Sequence, residues 1–414
     1  MMITNSSNTN KKYGVLFSVG AWMSIAGIFS IPLLGNAAHN ILLGLPIILL
    51  LFTKEIRQFP ELLKENKTAL LGALLFCLMI ISIFWSDAES KYSIKMLSKY
   101  REFILIPLFM LYFSVERFRN IAFATLYIAL LLSLFFSYLI HYDIVNYWEN
   151  EHSISNRIFH GISMSFFAYM TLQASTIFKR FRFLFIALFI VIVHNLFFIE
   201  NGRTGYLLIT SLTALFFLQT YKLKGLFLIA LAATFVAIAL MSLPGLEKIR
   251  IFDNFEIFSN AKELSLLTLQ QIDVRIEYYV IAFLTFTDSW LIGYGVGGFP
   301  IAYEAQYHSM TTFWRTTVNA HNEFLQIGVQ TGIGGIILFC GFLLSLLLSK
   351  SNYSLIQKQF CSALFVLLII SCSFNSSFLD HGDGTLFMIL SALIAGKRWD
   401  ETSDAPSAKG VNTQ

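Results

Sequence analysis

His321 is the residue whose type and place in the chain best suit proton transfer. A polar stretch ends at His321, and an apolar run long enough for a helix begins directly after it. Neutral imidazole accepts a proton readily near pH 7, and an ionisable side chain at the mouth of a membrane helix is a functional candidate by default. We therefore predict that His321 is a general base. A histidine that only caps the helix beginning at Asn322 explains the same residue equally well.

Two arginines can hold an anion opposite this histidine. Arg203 lies in the turn NGRTGY between two apolar runs, and Arg275 lies on a predicted helix in a long loop. A guanidinium binds phosphate oxygens through two parallel hydrogen bonds, and two of them neutralise the charge that grows on a departing pyrophosphate. We therefore predict a diphosphate clamp. The competing interpretations are a helix-end arginine paired with Glu200 and a solvated ion pair of Arg275 with Glu277.

Two other segments invite a chemical interpretation. The DHGDG turn at 380–384 carries Asp380, His381 and Asp383, which can bind a cation or orient a base. Because a metal site needs several converging ligands, we favour a solvated turn there. The GYGVGGF segment at 293–299 has the glycines of a nucleotide-binding loop but no strand before it, so we predict a plain turn.

The composition identifies the scaffold that positions these residues as a membrane protein. Of 414 residues, 56% are hydrophobic and 13% are charged, whereas soluble domains carry about 25% charged residues. The predicted fold class is therefore all-α, a polytopic integral membrane protein. The basic residues are spread over many loops, which argues against a nucleic-acid partner, and the four cysteines lie in apolar runs, which argues against a zinc site.

We predict about twelve transmembrane helices with both termini in the cytoplasm. With that orientation the short inner segments hold 18 of the 29 Lys and Arg residues, and the short outer segments hold six, as the bias of Lys and Arg toward the cytoplasm requires. The predicted spans lie at about 13–34, 36–52, 68–84, 100–115, 121–140, 158–178, 183–199, 205–220, 225–243, 322–349, 359–379 and 384–396.

Residues 1–414 are predicted to form a single transmembrane domain with one large outer loop at 244–321. A structureless loop of that length is unusual, so we expect short helices in it, at 273–286 and 300–307. The polar tail at 399–414 is predicted to be disordered. The outer segments also hold basic residues at the start of the fourth and sixth spans, namely Lys91, Lys95, Lys99, Arg101 and Arg157.

The surroundings of His321 resemble a motif of the O-antigen ligase and O-antigen polymerase superfamily of bacterial envelope glycosyltransferases. The ligase signature is His followed by Asn, Ser or Gln, then nine residues, then Gly-x-x-Gly. Here His321 and Asn322 are followed by nine residues and by the sequence from Gly332 to Gly335. The predicted topology is also similar, because these proteins have about a dozen spans and one large periplasmic loop near the C-terminus.

Three other segments support the resemblance. The family carries Arg-x-x-x-Leu at the other end of its loop, and here Arg275 is retained while Tyr279 replaces the leucine. The Arg-Thr-Gly turn at Arg203 is similar to a periplasmic arginine of the family. TDSWLIGYGVGGF at 287–299 resembles the loop segment that precedes the glycine motif.

The resemblance implies an enzyme of the bacterial inner membrane whose site faces the periplasm. It implies an inverting, metal-independent transfer, without a cofactor, of glycan from undecaprenyl pyrophosphate to a sugar hydroxyl of the lipid A–core. Arg203 and Arg275 would hold the pyrophosphate, and His321 would deprotonate the acceptor. Contacts to acceptor phosphates would come from Arg101 and, more weakly, from Lys99 and Arg157. Supporting roles would fall to Asp380, Asp383, Asn322 and Glu323.

Several alternatives stay open at this point. A polymerase has the same chemistry but a lipid-linked oligosaccharide as its acceptor, and a ligase-like oligosaccharyltransferase glycosylates protein. A transporter of anionic lipid-linked substrates belongs to a different class and tends to show inverted repeats and broken helices near the midplane. Here the charged residues gather at the predicted outer edge and in one loop, which favours an enzyme.

Overall fold

In the computed structural model the chain is described at residues 13–34, 36–145, 155–200, 202–225, 227, 274–310, 317–348, 353–397 and 399. Within these ranges it is helical, without a strand, which agrees with the predicted all-α class. The helices are α1 Val15–Ser30, α2 Asn36–Leu51, α3 Phe59–Glu65, α4 Lys67–Ser82, α5 Ser90–Lys99, α6 Glu102–Phe113, α7 Glu116–His141, α8 Arg157–Ile177, α9 Arg182–His194, α10 Arg203–Tyr221, α11 Arg275–Asp288, α12 Phe299–Met310, α13 Glu323–Leu348, α14 Leu355–Phe374 and α15 His381–Ala395. A π-helical segment, Asn195–Glu200, joins α9 to α10.

The predicted count of about twelve transmembrane helices is not confirmed. Each predicted span in the described part of the chain is helical, and the span at 225–243 lies outside the described residues. Five helices there are long and apolar enough to cross a membrane, or six if a pair bent by 79°, Ala37–Leu51 and Lys54–Glu65, is one span. The five are Lys67–Trp85, Glu116–His141, Lys179–Glu200, Glu323–Leu348 and Leu355–Phe374.

Two physical features distinguish three of the predicted spans from these five helices. The apolar helices α1 and α15 have 16 and 15 residues, fewer than the roughly 20 that a bilayer crossing needs. Helix α8 is long enough, with 21 residues, but it carries buried polar side chains such as His160 and Gln173. A helix that is surrounded by other helices does not need an apolar face toward lipid, so average hydropathy identifies it poorly.

The core closes around a buried turn between α14 and α15. Phe378 of that turn is fully buried and stacks on Phe103 of α6 with ring centroids 4.3 Å apart. The Phe378 ring also contacts three other rings, with centroid distances of 6.1 Å to Phe339 and 6.3 Å to Phe342 of α13 and 5.7 Å to Phe387 of α15. Such offset and edge-to-face contacts add to the free energy of burial. The turn is therefore fixed relative to three helices at once.

Helices α8 and α10 run parallel and cross where both have glycine. A Cβ atom built on Gly161 would lie 3.3 Å from the Cα atom of Gly205, so the two backbones approach more closely than side chains would allow. One turn earlier, a Cβ on Gly202 would lie 3.4 Å from Cγ of Arg157. The crossing therefore brings the first residues of the two helices, Arg157 and Arg203, side by side.

Helices α10 and α14 are antiparallel. Gln219, near the end of α10, donates a hydrogen bond to the backbone oxygen of Gln359, near the start of α14, at 3.4 Å, and the two helices pack against each other. Measured from that contact at about 1.5 Å per residue, Arg203 lies about 24 Å along α10 and Phe374 about 22 Å along α14. Arg203 is therefore at the level of the C-terminal end of α14.

Two of the described helices belong to the predicted outer loop. They are α11 and α12, predicted at 273–286 and 300–307 and observed at Arg275–Asp288 and Phe299–Met310. A second small core joins them to the first turns of α13 and contains Ile281, Phe299, Tyr303 and Val329. Burial and, to a lesser extent, the nearby Glu277 raise the pKa of Tyr303 above its ordinary value. Its hydroxyl is therefore neutral at physiological pH.

A break in α13 receives the loop between α11 and α12. Gly332 has φ 65° and ψ −161°, a conformation outside the helical region. The loop docks there through two backbone hydrogen bonds, from Ile333 to the Trp290 oxygen and from Tyr294 to the Val329 oxygen, each 2.8 Å long. The glycine-rich segment is thus the plain turn that the sequence predicts. It fastens the outer loop to the membrane helix.

Gly332→Ala tests this docking. A Cβ atom there would collide with the Leu291 carbonyl oxygen, and the backbone conformation is open essentially to glycine alone. We expect the substitution to lower the free energy of unfolding by about 1–3 kcal/mol, measured as a lower Tm of the detergent-solubilised protein. Gly334→Ala is the matched control, because a Cβ there meets only the Leu78 side chain at 3.7 Å. Equal Tm values for the two variants would contradict the role of the break.

Candidate functional site

His321 is held in one orientation in the turn before α13. Its backbone has φ 51°, which is uncommon for a residue other than glycine and persists only where the surroundings impose it. Its N–H donates to Oδ1 of Asn319 at 2.8 Å, and its carbonyl oxygen accepts from the Tyr279 hydroxyl at 3.1 Å. The imidazole stacks on the ring of Tyr278 with centroids 5.5 Å apart. The ring is half-buried, so one face is supported by the protein while the residue stays accessible.

Asn322, and not His321, caps helix α13. Its Oδ1 accepts from the Leu325 backbone N–H at 3.1 Å, which is the geometry of an N-cap. Its Nδ2 donates to the carbonyl oxygen of Ser373, at the end of α14, at 2.9 Å. The interpretation of His321 as a capping histidine is therefore wrong, because the neighbouring residue satisfies the helix end.

Arg275 reaches the same end of α14. It begins α11, and its Nη1 donates to the carbonyl oxygen of Phe374 at 3.0 Å. The next turn of α11 supplies Tyr278 and Tyr279, the two side chains that contact His321. Arg275 and His321 thus converge on the C-terminal turn of α14, although 45 residues separate them in the sequence.

Arg203 and Arg157 lie at this end of the bundle as well. The antiparallel packing of α10 on α14 brings Arg203 to the level of Phe374, as described above. Independently, the ring of Phe159, two residues after Arg157, lies 3.2 Å from where a Cβ on Gly382 would be, at the start of α15. Both arginines are the first residues of helices. The partial positive charge of a helix N-terminus adds to theirs and favours an anion.

Arg101 belongs to a polar cluster beside the start of α15. Its Nη2 donates to Oδ1 of Asn40 at 2.6 Å and lies 3.0 Å from Nε2 of His381. The buried Glu102 carboxylate lies 3.9 Å from Nε of Arg101 and 3.5 Å from Nδ1 of His381. The ring of His39 is 5.5 Å from that of His381. The Arg101 side chain is 40% exposed, so the cluster presents a positive group at the surface.

The expectation of a solvated DHGDG turn is wrong. The segment is the start of α15, where Asp380 is the N-cap and accepts from the Gly382 N–H at 3.3 Å. Asp383 is fully buried and accepts from Nδ2 of Asn375 at 3.3 Å. Asp383 is removed from water because α6 and α8 pack over this helix start. Asp380 and Asp383 therefore support the helix start that carries His381.

Glu323 joins the start of α13 to the turn between α14 and α15. It is fully buried, and its Oε2 accepts from the Phe378 backbone N–H at 2.7 Å. This buried bond is costly to break, because the amide and the side-chain oxygen would then lose their partners away from water. Asn322 and Glu323 thus connect the turn that carries His321 to the end of α14 and to the turn that follows it, by two separate bonds. Both were predicted as supporting residues, and the structure brings them together with His321.

Several residues at this site escaped the sequence analysis. Tyr278 was visible only as part of a predicted helix and Tyr279 only as the replacement of a leucine, although their i+3 and i+4 spacing from Arg275 places all three on one face. Asn40 and Glu102 meet His381 across distant parts of the chain, which no spacing reveals. The adjacent charges at 101 and 102, at the edge of an apolar run, were the one available signal.

Comparison with known protein families supports the resemblance found in the sequence. Residues 186–340 match the family model described as O-antigen ligase. This segment contains Arg203, Arg275 and His321 and ends within α13. Members of the family are glycosyltransferase-like enzymes of O-antigen and lipopolysaccharide assembly. The resemblance to the O-antigen ligase and polymerase superfamily is thereby confirmed, and comparison with curated proteins gives no match.

Asn322 provides a test of how the site is held together. Asn322→Ala removes the cap of α13 and the bond to Ser373, so we expect the free energy of unfolding to fall by about 1–2 kcal/mol. Asn322→Ser retains a cap and loses only the second bond, so its Tm should lie between those of the Ala variant and the wild type. An Ala variant as stable as the wild type would show that these bonds do not fix the site.

Proposed function

We propose that this protein, whose residues 186–340 match the O-antigen ligase family model, is an O-antigen ligase of the bacterial inner membrane. Its donor is a glycan on undecaprenyl pyrophosphate, and its acceptor is a sugar hydroxyl of the lipid A–core. The observation that carries the proposal is the convergence of His321 and Arg275 on the C-terminal turn of α14, with Arg203 at the same end. A base and two guanidinium groups are the parts that this transfer requires.

The chemistry follows from these parts. His321 takes the proton of the acceptor hydroxyl, and the oxygen attacks the anomeric carbon of the donor sugar from the side opposite the pyrophosphate. The new glycosidic bond forms as the bond from the anomeric carbon to the phosphate oxygen breaks, so the configuration inverts. Arg203 and Arg275 bind the departing pyrophosphate, whose negative charge grows in the transition state. The arginines thus fill the electrostatic role of a metal ion, and the transfer is proposed as metal-independent.

The supporting residues orient this machinery. Asn322 and Glu323 hold the turn that carries His321, and the stacked Tyr278 presents the imidazole with a fixed ring plane. Arg101 and, more weakly, Arg157 meet phosphates of the acceptor. In the proposed orientation both termini are cytoplasmic and the site faces the periplasm, where the lipid-linked donor and acceptor meet.

The polymerase and the protein oligosaccharyltransferase use the same base and the same leaving group, and differ only in the acceptor. A transporter does not need a base that is aligned with an acceptor hydroxyl. The imposed left-handed backbone and the ring stacking at His321 therefore favour an enzyme over a transporter. The acceptor is the point on which the proposal is tested.

A deletion strain complemented with His321→Ala tests the proposed reaction. We expect the deletion to leave lipid A–core without O-antigen, wild-type protein to restore the ladder of O-antigen bands on lipopolysaccharide gels, and His321→Ala to restore none at normal protein level. His308→Ala is the matched control, because His308 is an exposed histidine on α12 that pairs with Glu304. A deletion strain with a single repeat unit on the core would indicate the polymerase instead. Full restoration by His321→Ala would exclude His321 as the base.

Arg203→Lys and Arg275→Lys test the clamp. Lysine retains the charge but not the two parallel hydrogen bonds of guanidinium, so we expect about a 10- to 100-fold loss of kcat/KM with the purified enzyme and lipid-linked donor. Arg182→Lys is the control, because Arg182 begins α9 at the opposite end and contacts Tyr221. Wild-type rates for both site variants would favour the structural interpretation of these arginines.

A further inference from the structure

Helix α5 carries a row of lysines on a face that the proposed reaction does not use. Ser93 and Met96 face the protein interior, while Lys91 and Lys95 are exposed and Lys99 is half-exposed. Residues four apart lie on one face of a helix, so the three ammonium groups form a row about 12 Å long. We call Lys91, Lys95 and Lys99 the α5 lysine row.

The α5 lysine row lies at the same end of the bundle as His321. Ser93 packs against the glycine-rich loop, since a Cβ on Gly297 would lie 2.9 Å from its Oγ. Just beyond α5, the Tyr100 hydroxyl accepts from Nε2 of Gln330, in the first part of α13, at 3.2 Å. Arg101 is the next residue after Tyr100, and its side chain lies beside His381 at the start of α15.

Among the described residues, no acidic partner balances the charges of the α5 lysine row. In the part of the chain that the structure describes, no carboxylate lies within 4.0 Å of the ammonium groups of Lys91, Lys95 or Lys99. In the proposed orientation these lysines and Arg101 are four of the six basic residues in short outer segments. Basic residues on that side oppose the topology, and like charges four apart on a helix repel each other. The partial negative charge at the C-terminus of α5 stabilises only the charge of Lys99, in the last turn.

Anionic groups of a lipid would neutralise these lysine charges and remove their mutual repulsion. Ile94 is 61% exposed on the flank of the same helix, so α5 combines an apolar flank with a basic face, as helices at a membrane surface do. A row of three ammonium groups can contact more than one phosphate at once. A lipid with a single phosphate fills only one position of the row.

We propose that the α5 lysine row, together with Arg101, binds the phosphate groups of a multiply phosphorylated glycolipid headgroup, the lipid acceptor of the transfer. This inference rests on the proposed function and assigns the acceptor side of that site. The donor pyrophosphate is held elsewhere, by Arg203 and Arg275. Neutralising the α5 lysine row should therefore weaken binding of the acceptor and leave binding of the donor unchanged.

The test uses the full-length protein with Lys91, Lys95 and Lys99 changed together to Gln. We expect about a tenfold higher KM for lipid A–core acceptor, as the loss of three exposed ion pairs implies, with unchanged KM for the donor and unchanged kcat. Lys54, Lys64 and Lys67, three exposed lysines on the predicted cytoplasmic side, are changed to Gln in the control. Changing the α5 lysine row to Arg should restore the wild-type KM.

A second measurement does not depend on catalysis. Native mass spectrometry of the detergent-solubilised protein with lipid A, or with phosphatidylglycerol as a lipid with one phosphate, counts bound lipids. We expect the wild type to prefer lipid A and the Gln variant of the α5 lysine row to lose that preference. The same preference in wild type and variant would overturn the inference.

The two proposals fail in different ways. If the wild type transfers no glycan to lipid A–core, the proposed function fails, and the lipid-binding measurement still decides whether the α5 lysine row recognises phosphates. If the wild type transfers glycan and the Gln variant has unchanged KM for the acceptor, the proposed function stands and this inference is overturned. Equal losses in the α5 variant and in the control variant would indicate a general effect of charge and would also overturn it.

Discussion

The hydrogen bond from the Phe378 amide to Oε2 of Glu323, 2.7 Å long, is the contact on which this end of the molecule depends. It joins the start of α13 to the buried turn between α14 and α15. Because His321 precedes Glu323 by two residues and His381 follows Phe378 by three, this bond links the segments that carry the two histidines. The surrounding phenylalanine rings exclude water from it, and the low local dielectric strengthens it.

The candidate residues share a position in their helices. Arg157, Arg203, Arg275 and His381 are each the first residue of a described helix, and His321 comes just before the cap of another. Helix N-termini carry unpaired amides and partial positive charge. When several helix N-termini lie at one end of the bundle, their backbone amides alone create a region that favours anions. This common feature explains how residues so far apart in sequence can serve the one site that we propose.

The sequence predicted the helices well and their relation to the bilayer less well. His321, Asn322 and the glycines from Gly332 onward were found because their spacing is local, and the resemblance to a known motif added to that signal. The number of spans is not confirmed, because hydropathy cannot separate a helix that faces lipid from one that faces other helices. The buried start of α15 was misread as a solvated turn because Asp383 is polar, and only the packing of α6 and α8 shows that it is covered. Contacts such as that of Asn40 with His381 join residues far apart in the chain, beyond any local rule.

The close crossing of α8 and α10 has a consequence for assembly of the protein. The side chain of Arg157 lies against Gly202, next to Arg203, and the close approach of Gly161 to Gly205 fixes the two helix starts relative to each other. An anion that binds at both helix starts requires this crossing, and such a ligand binds only the folded state. Any ligand that binds only the folded state shifts the equilibrium toward that state. A newly inserted chain in a membrane that is rich in lipid diphosphates would therefore reach its native packing more completely than the same chain in a membrane without them.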